Sequence, residues 1–264
     1  MTAKHSLAGV AVLVTRATGQ ARELADRIRA LGGASLLIPA IEIEALADQQ
    51  IAAGVAQLDD YDYAIFVSSN AAGISMACAK RFGRMPTRVK LVAVGPGTAA
   101  ALADAGLRDV RLPSEGSDSE ALFRVLESEA KPNRRFLIVR GQGGREWLAE
   151  KLRANGAQVD YLECYRRVKP VARLDEAMAR WRQGDRIACT ATSVQIVENL
   201  FEMAGPVARP YLEYTPFFVT HARIAKAAFD RGVQTIFVTG NGESSLALGL
   251  DIWYGRGQPA HHAS

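Results

Sequence analysis

Four short segments of this 264-residue sequence place hydroxyl-bearing residues at the start of a predicted helix. A helix N-terminus offers unpaired N–H groups and a partial positive charge, so such a segment can bind a carboxylate or a phosphate. Each segment taken alone is more often an N-cap, in which Ser, Thr or Asn accepts a hydrogen bond from its own helix. The segments are Ser68-Ser69-Asn70, Gly95-Pro96-Gly97-Thr98, Thr190-Ala191-Thr192-Ser193 and Thr220-His221-Ala222-Arg223.

Two side chains are candidates for proton chemistry. Tyr165 is followed by Arg166 and Arg167. Tyrosine has a reference pKa of about 10, so Tyr165 would act as a hydrogen-bond donor or weak acid. The alternative is a tyrosine that packs on its strand with its hydroxyl in water. His221 is a candidate general acid because histidine titrates near neutral pH. Its alternative is a turn histidine whose hydrogen bonds are satisfied locally.

Motifs for metals, nucleotides and covalent catalysis are incomplete or absent. No histidine or carboxylate follows His221 at the third or fourth position, and neither a G-x-S-x-G nor a G-x-x-x-x-G-K-[ST] motif occurs. The segment Arg140-Gly141-Gln142-Gly143-Gly144 resembles a dinucleotide fingerprint, but Glu146 stands where its third glycine belongs. Glycines that permit a tight turn are the alternative interpretation. The residues thus indicate no metal site and favour no nucleotide site; the family resemblance described below implies that neither a metal nor a cofactor is needed.

The elements that would position these residues alternate between strand and helix. Leu24, Ile28 and Leu31 share one face of a predicted helix over residues 21–31, which Gly32 and Gly33 end. This alternation predicts an α/β fold with parallel sheets flanked by helices. Since the carboxyl ends of parallel strands share one edge, the turns of each sheet should line one rim. Strands or extended segments are predicted at residues 10–14, 35–38, 39–43, 64–67 and 91–94.

An internal repeat indicates two similar domains. Arg140 follows Arg16 by 124 positions, and Leu148 and Gly156 follow Leu24 and Gly32 by the same interval. Segments 185–188 and 220–232 match segments 62–65 and 94–106 at offsets of 123 and 126. The period is far too long for a solenoid. It predicts two related α/β domains with a cleft between them, which is a favoured position for a ligand site.

Composition excludes several classes of protein. Apolar residues make up 48% of the chain, and 32 basic against 28 acidic side chains give a net charge of +4. The chain has no basic block or RNA-binding motif, and no run approaches the roughly 18 apolar residues of a membrane-spanning helix. We therefore expect that it binds neither nucleic acid nor membrane. The three cysteines form no disulfide framework, which indicates a cytoplasmic protein. A monomer is expected because the sequence shows no evident sticky surface. The N-terminal apolar run is interpreted as a strand and not as a signal peptide.

The assembled motifs resemble the uroporphyrinogen-III synthase family over residues 7–250. Each motif is weak alone, but their order and spacing are specific. The segments that carry the resemblance are Val14-Thr15-Arg16, Pro39-Ala40-Ile41-Glu42, Ile65-Phe66-Val67-Ser68-Ser69-Asn70, Val92-Ala93-Val94-Gly95 with Thr98-Ala99, Arg140-Gly141, Tyr165-Arg166-Arg167, Thr192-Ser193 and His221-Ala222-Arg223-Ile224-Ala225.

The resemblance implies both a domain organisation and a reaction. One domain would comprise residues 1–38 and 171–264, the other residues 39–170, with a two-stranded hinge ladder near 39–44 and 164–170. The expected substrate is hydroxymethylbilane, a linear tetrapyrrole with eight carboxylates. The enzyme, a lyase of haem biosynthesis, closes it to a macrocycle with loss of water and inversion of ring D through a spiro intermediate. Positioning would then be the enzyme's main task.

The resemblance also implies roles for single residues. Tyr165 matches a tyrosine proposed to assist departure of the substrate hydroxyl. Arg16 and Arg140 match positions that would neutralise acetate or propionate groups. The chain departs from some relatives at Arg223-Ile224, where those have a Thr-Thr pair; Arg223 and His221 would replace the hydroxyls, and Ile224 would pack. The residues expected to meet substrate carboxylates in the turns are Ser68, Ser69, Gly95, Thr98, Thr192 and Ser193.

Two other functions are compatible with part of this pattern. A non-catalytic, hinged two-domain protein that binds an anionic small molecule would share the cleft and the hinge. A nucleotide-dependent transferase or oxidoreductase would need the complete glycine fingerprint, which is missing. The porphyrin isomer formed from hydroxymethylbilane distinguishes the synthase from both.

Overall fold

The computed structural model describes residues 6–171 and 174–255, in which strands and helices alternate. The strands are β1 (Val10–Val14), β2 (Ala34–Leu37), β3 (Glu42–Ala45), β4 (Tyr63–Phe66), β5 (Lys90–Ala93), β6 (Val110–Arg111), β7 (Arg135–Gly141), β8 (Gln158–Val168), β9 (Arg186–Ala191), β10 (Phe217–Val219) and β11 (Ile236–Val238). The α-helices are α1 (Arg22–Ala30), α2 (Asp48–Ala56), α3 (Ser69–Arg81), α4 (Pro96–Asp104), α5 (Ser119–Leu126), α6 (Trp147–Ala154), α7 (Asp175–Arg182), α8 (Val194–Tyr214), α9 (Ala222–Phe229) and α10 (Glu243–Gly255).

The chain divides into two compact units. Unit 1 comprises residues 1–42 and 168–264, and unit 2 comprises residues 43–167. The unit built from both chain ends is therefore interrupted by the other. The sequence predicts domain boundaries at residues 38/39 and 170/171, and these boundaries stay a prediction.

Unit 1 is organised around one parallel sheet. Within the described residues its strand order is β11-β10-β9-β1-β2, and every pair of neighbours is parallel. All five residues of β1, an interior strand of this sheet, are buried. A strand buried on both faces is the expected result of a sheet with helices on each side.

Unit 2 has the same architecture. Its strand order over the described residues is β3-β8-β7-β4-β5-β6, with parallel pairing from β8 to β6. Successive residues of β4 point into different cores: Ala64 and Phe66 contribute to one cluster, Tyr63 and Ile65 to another. This alternation places a hydrophobic core on each face of the sheet.

Strands β3 and β8 lie side by side at one edge of the unit 2 sheet. The N–H of Leu46 donates to the carbonyl of Cys164 at 2.9 Å, just beyond the end of β3. The segments predicted to cross between domains are thus neighbours in this sheet. That these two segments act as a hinge between the domains stays a prediction.

The α/β fold with parallel, helix-flanked sheets is confirmed, and the equivalent positions of the repeat have equivalent environments. Leu24 in α1 and Leu148 in α6 are both buried. Gly32 and Gly156, which follow these helices, have φ values of 82° and 91°. This left-handed backbone favours glycine and ends a helix with its last carbonyls satisfied.

Candidate active site

The carboxyl edge of the unit 2 sheet contains Ser68, at the point where β4 leads into α3. Ser68 has extended backbone angles and is the N-cap of α3, because its Oγ accepts from the N–H of Ala71 at 3.1 Å. Ser69 follows in the exposed first turn. The N-cap interpretation is correct for Ser68, and its hydroxyl has a second contact.

That second contact is Tyr165, which projects from β8. The Tyr165 hydroxyl lies 3.1 Å from Ser68 Oγ and accepts from Arg167 Nη2 at 3.4 Å. The guanidinium of Arg167 also lies 5.6 Å from the centre of the Tyr165 ring. Tyr165 is 1% exposed and belongs to a hydrophobic cluster of unit 2, so it packs as the alternative expects, but its hydroxyl is held by a serine and an arginine. Its catalytic role stays a prediction.

Gly141 makes room for the Tyr165 ring on the neighbouring strand. A Cβ at position 141 would lie 2.5 Å from two ring atoms of Tyr165, closer than atoms can approach. The β7–β8 register shifts between Arg140 and Gly141, and the N–H of Gln142 donates to the carbonyl of Tyr165 at 2.7 Å. This irregularity re-aims Tyr165, as β-bulges next to functional sites do. Gly141, the first glycine of the incomplete dinucleotide motif, therefore makes room for the tyrosine.

The turn after β5 belongs to the same edge of unit 2. Gly95 is the N-cap of α4, and a Cβ there would lie 2.6 Å from Ser117 Oγ. Thr98 is buried, and its N–H donates a hydrogen bond to the carbonyl of Gly95 at 3.1 Å. Pro96 has no N–H. The exposed N–H of Gly97, which has no partner among the described residues, is the donor this turn retains.

Arg140 is held by carboxylates of its own unit. Its guanidinium donates to Glu146 at 2.7 Å and to Glu163 at 3.4 Å, and lies 3.8 Å from the centre of the Tyr161 ring. Hydrogen bonds from Tyr161 and Arg140 lower the pKa of Glu146. The side chain of Arg140 is only 11% exposed. A substrate carboxylate would have to share or displace these partners.

The carboxyl edge of the unit 1 sheet carries two helix N-termini. Ser193 is the N-cap of α8, where its Oγ accepts from the N–H of Ile196 at 3.2 Å, and Thr192 precedes it in a half-buried position. His221 is the N-cap of α9, but its exposed side chain makes no capping hydrogen bond. Arg223 is exposed in the first turn, and Ile224 is fully buried, as predicted.

Arg16 follows β1 at the same edge of unit 1. It forms an ion pair with Glu243 at the start of α10, and its Nη2 donates to Gln20 at 3.4 Å. Burial lowers its pKa below the ordinary arginine value. The Nε of Arg16 and one carboxylate oxygen of Glu243 are buried with no hydrogen-bond partner in the described part of the chain. Arg16 and Arg140, which match in the repeat, are thus both paired to an acidic residue near the start of a helix.

The remaining side chains give no sign of a metal centre. Across residues 6–171 and 174–255, no three histidine, cysteine, aspartate or glutamate side chains converge in a way that could hold a metal ion. The same residues include no helix with the length and apolar character needed to cross a membrane. His261 and His262 lie outside the described residues.

Comparison with known proteins decides the family. A family model described as uroporphyrinogen-III synthase HemD matches residues 22–241, which is well over half of the chain. The chain belongs to the uroporphyrinogen-III synthase family.

Relatives in the family cover almost the whole sequence. The uroporphyrinogen-III synthase of Salmonella typhimurium is 32% identical over 243 residues, which are 90% of this chain and 98% of that protein. The Escherichia coli enzyme is 29% identical over 247 residues, with the same coverage. Crystal structures of uroporphyrinogen-III synthases from Thermus thermophilus (a mutant) and Helicobacter pylori share the fold, with TM-scores of 0.58 and 0.56. They are 19% and 17% identical, and cover 94% and 92% of this chain and 99% and 98% of their own.

The uroporphyrinogen-III synthase fold brings part of the predicted site together. Ser68 and Tyr165 are 97 positions apart in the chain and share a hydrogen bond. Arg140 instead turns to Glu146 and Glu163. These acidic partners and the packing role of Gly141 were missed, and no motif in the sequence indicated them. Arg167 was noted only as a neighbour of Tyr165.

Proposed function

We propose that this chain closes hydroxymethylbilane to uroporphyrinogen III, with ring D inverted and one water lost. The observation that carries the proposal is the Tyr165 hydroxyl, held by Ser68 at the N-terminus of α3 and by Arg167. The membership of the family supplies the reaction, and the class of enzyme we assign is a cyclising hydro-lyase. The overall reaction needs no oxidant or reductant, because the substrate and its product differ only by one molecule of water.

The direction of the hydrogen bonds around Tyr165 decides where its own proton is available. Either hydroxyl of the Ser68–Tyr165 pair can donate, and we assign Ser68 as the donor, because its Oγ already accepts from Ala71. Arg167 has no acceptor atom and also donates to that oxygen. With both lone pairs of the phenolic oxygen engaged, the Tyr165 O–H is the remaining donor. We therefore assign Tyr165 as the group that donates to the departing hydroxyl of the substrate.

The chemical step follows from that donor. The C–O bond of the hydroxymethyl group breaks, its electron pair leaves with the oxygen, and the proton from Tyr165 completes a water molecule. The pyrrole electrons stabilise the resulting azafulvene cation. The substituted carbon of ring D then attacks to give the spiro intermediate, and rearrangement and loss of a proton restore the pyrrole and Tyr165. A proton donor fixed in this way contributes typically 10²–10⁴-fold to a rate.

The substrate carboxylates would bind at helix N-termini. In unit 2 the supporting features are the first turns of α3 and α4, with the exposed Ser69 and the unpaired N–H of Gly97. In unit 1 they are the first turns of α8 and α9, with Ser193 and the exposed His221 and Arg223. Helix N-termini provide N–H donors and partial positive charge without the cost of a buried arginine. Many weak contacts of this kind suit a ligand with eight carboxylates.

The isomer of the product tests the proposal. The purified protein is incubated with enzymatically generated hydroxymethylbilane, the products are oxidised, and the porphyrin isomers are separated. We expect type III, whereas the spontaneous reaction in a control without protein gives type I. Type I alone at every protein concentration would overturn the proposal and favour a binding protein that does not catalyse closure.

A further inference from the structure

Unit 2 has a cavity at the opposite end of its strands from the candidate active site. The cavity has a volume of about 500 Å³ and lies where β4, β5 and β6 begin. Ser68 and Gly95, by contrast, lie where β4 and β5 end. We call it the amino-edge cavity. Its size falls within the roughly 300–1,000 Å³ that is usual for sites of small organic ligands.

The charged lining of the amino-edge cavity is mainly cationic. Two short connections supply it: residues 86–90 lead into β5, and residues 106–111 lead into and form β6. Four basic and two acidic side chains give an excess of two positive charges. The charged residues are Arg88, Lys90, Arg108, Arg111, Asp109 and Glu129.

Two of the four cations have no partner among the residues that the structure describes. Lys90 Nζ donates to the Tyr63 hydroxyl at 3.4 Å, and Arg111 lies 3.9 Å from Glu129. In the part of the chain that the structure describes, the guanidinium groups of Arg88 and Arg108 make neither a hydrogen bond nor an ion pair. An arginine fork of this kind binds the planar or tetrahedral oxygens of a carboxylate or phosphate in a bidentate way.

The backbone of residues 87–89 is held in place by the carboxylate of Asp59. Asp59 accepts from the N–H groups of Thr87, Arg88 and Val89 at 2.9–3.1 Å, and from the Thr87 hydroxyl at 2.8 Å. The connection that presents Arg88 is therefore ordered before any ligand arrives. A binding group on a fixed backbone loses less conformational entropy when it binds.

One of the two acidic side chains of the cavity, Glu129, responds to the cations around it. A hydrogen bond from Tyr63, with the charges of Lys90 and Arg111, lowers the pKa of Glu129. A second anion at this place would meet the same stabilising charges. Apolar side chains, including Pro86, Leu91 and Leu107, complete the lining and would contact an organic body.

We propose that the amino-edge cavity is a second anion site, which binds a small organic molecule with two carboxylate or phosphate groups between Arg88 and Arg108. The volume exceeds that of a single inorganic phosphate, and the excess of two positive charges matches a dianion. The proposal is independent of the reaction assigned above, because none of these residues takes part in it.

Titration calorimetry at low ionic strength tests the site, with inorganic phosphate, pyrophosphate and isophthalate as probes. We expect pyrophosphate or isophthalate to bind with a dissociation constant below about 1 mM, more tightly than phosphate. Tighter binding of pyrophosphate assigns the phosphate class, and tighter binding of isophthalate the carboxylate class. In the double variant Arg88→Gln/Arg108→Gln, the affinity should fall at least tenfold, because charge-assisted hydrogen bonds are the strong ones.

The matched control is Arg84→Gln. Arg84 is an exposed arginine of the same unit with no side-chain partner in the described residues, and it does not line the cavity. It should leave the affinity unchanged, and the double variant should leave formation of type III porphyrin unchanged. The proposal is overturned when no probe binds, when the double variant binds as well as the wild type, or when Arg84→Gln weakens binding equally.

Discussion

At the scale of single residues, the position of the Tyr165 hydroxyl is determined by residues from three different parts of unit 2. Gly141 leaves space for the ring of Tyr165, while Ser68 and Arg167 hold its oxygen. None of the three needs to contact the substrate to matter for the proposed reaction, since Gly141 allows the position of the ring and Ser68 and Arg167 hold its oxygen. The proposed chemistry therefore depends on a small network and not on one side chain.

Tyr165→Phe removes only the donor. We expect formation of type III porphyrin to fall about 100-fold or more, since a positioned general acid contributes 10²–10⁴-fold. The ring remains to fill its buried position, so the free energy of unfolding should fall by only about 1 kcal/mol, the net worth of the lost hydrogen bonds. The isomer assay and urea denaturation measure the two effects. Wild-type turnover in this variant would leave Tyr165 a packing role alone.

Arg167→Gln tests the positioning of that hydroxyl, with Arg166→Gln as the matched control. Arg166 is the adjacent residue, is equally exposed and pairs with Glu44 instead. We expect Arg167→Gln to lower kcat about tenfold, which corresponds to about 1.4 kcal/mol of transition-state stabilisation, with little change in KM. Arg167→Lys should recover part of the loss. Equal losses in the Arg166 and Arg167 variants would contradict the assignment, because only a general effect of charge would then remain.

Asp59 predicts a pH dependence of stability. Partial burial opposes its charge, but hydrogen bonds from the N–H groups of Arg88, Val89 and Thr87 and from the Thr87 hydroxyl lower its pKa from 3.8 to about 2. The unfolded chain therefore takes up the proton first, so this stabilisation is complete above about pH 5 and is lost as the pH falls toward 2. The full shift corresponds to about 2–3 kcal/mol, and solvent screening of this partly exposed carboxylate reduces it to about 1–2 kcal/mol.

The measurement compares Asp59→Asn with Asp60→Asn by urea denaturation at pH 7 and pH 3. The destabilisation by Asp59→Asn should be about 1–2 kcal/mol at pH 7 and about half of that at pH 3. Asp60, the exposed neighbour, should show a change within about 0.5 kcal/mol at both. A destabilisation by Asp59→Asn that is the same at both pH values would refute the assignment.

At the scale of elements, two helical glycines of unit 2 differ in what they face. Gly73 in α3 is exposed, and a Cβ there would meet nothing within 4 Å. Gly54 in α2 faces the buried side chain of Leu162 in β8, which an added Cβ would strike. Glycine costs a helix about 0.5–1 kcal/mol relative to alanine, so the two positions start from the same potential gain.

Gly73→Ala should therefore stabilise the protein by about 0.5–1 kcal/mol. Gly54→Ala should destabilise it by about 1 kcal/mol, because overpacking a core costs about 1–3 kcal/mol and exceeds the gain in the helix. Thermal or urea denaturation of both variants measures the difference. Stabilisation by both would show that Leu162 moves aside without cost, and α2 would then be loosely packed on its sheet.

Much of this element structure was predictable from the sequence. The apolar run over residues 10–14 coincides with β1, and the helix predicted over residues 21–31 is observed at Arg22–Ala30. All four hydroxyl-rich turns contain a helix N-cap, but only Ser68 and Ser193 make the predicted side-chain capping hydrogen bond, while Gly95 and His221 make none. The acidic partners of Arg16 and Arg140 were not predictable: Glu243 and Glu163 come from other segments of the chain, and Glu146, six residues after Arg140, stands at a spacing typical of no regular element.

At the scale of the whole molecule, the repeat is the feature that made the fold predictable. Two segments 124 positions apart build the same strand and helix in each unit, although few of their residues are identical. What a repeat preserves is the pattern of burial and of glycines at helix ends, since these determine the fold. It does not preserve the residues proposed for catalysis: Ser68 and Tyr165, which share a hydrogen bond, both belong to unit 2. The catalytic assignment therefore could not come from the repeat.

The two units should also unfold separately, and the cysteines report on each. Cys78 and Cys164 lie in unit 2 and Cys189 in unit 1, and all three are buried. Burial raises the pKa of the Cys164 thiol to about 12 and also raises that of Cys189, so a thiol reagent should react only after local or global opening. Each unit has its own sheet and its own hydrophobic clusters, so opening one need not open the other.

Leu13→Ala and Leu137→Ala are matched variants for this test, because the two leucines occupy equivalent buried positions of β1 and β7. Each substitution should cost about 2–5 kcal/mol, which raises the open population of its own unit about 30-fold or more. Leu137→Ala should accelerate labelling of Cys78 and Cys164 but not of Cys189, and Leu13→Ala should do the reverse. Peptide mapping after timed labelling assigns each rate. Acceleration of all three cysteines in both variants would mean that the interrupted chain unfolds as one cooperative body, since the strand connections that cross twice between the units would then couple them.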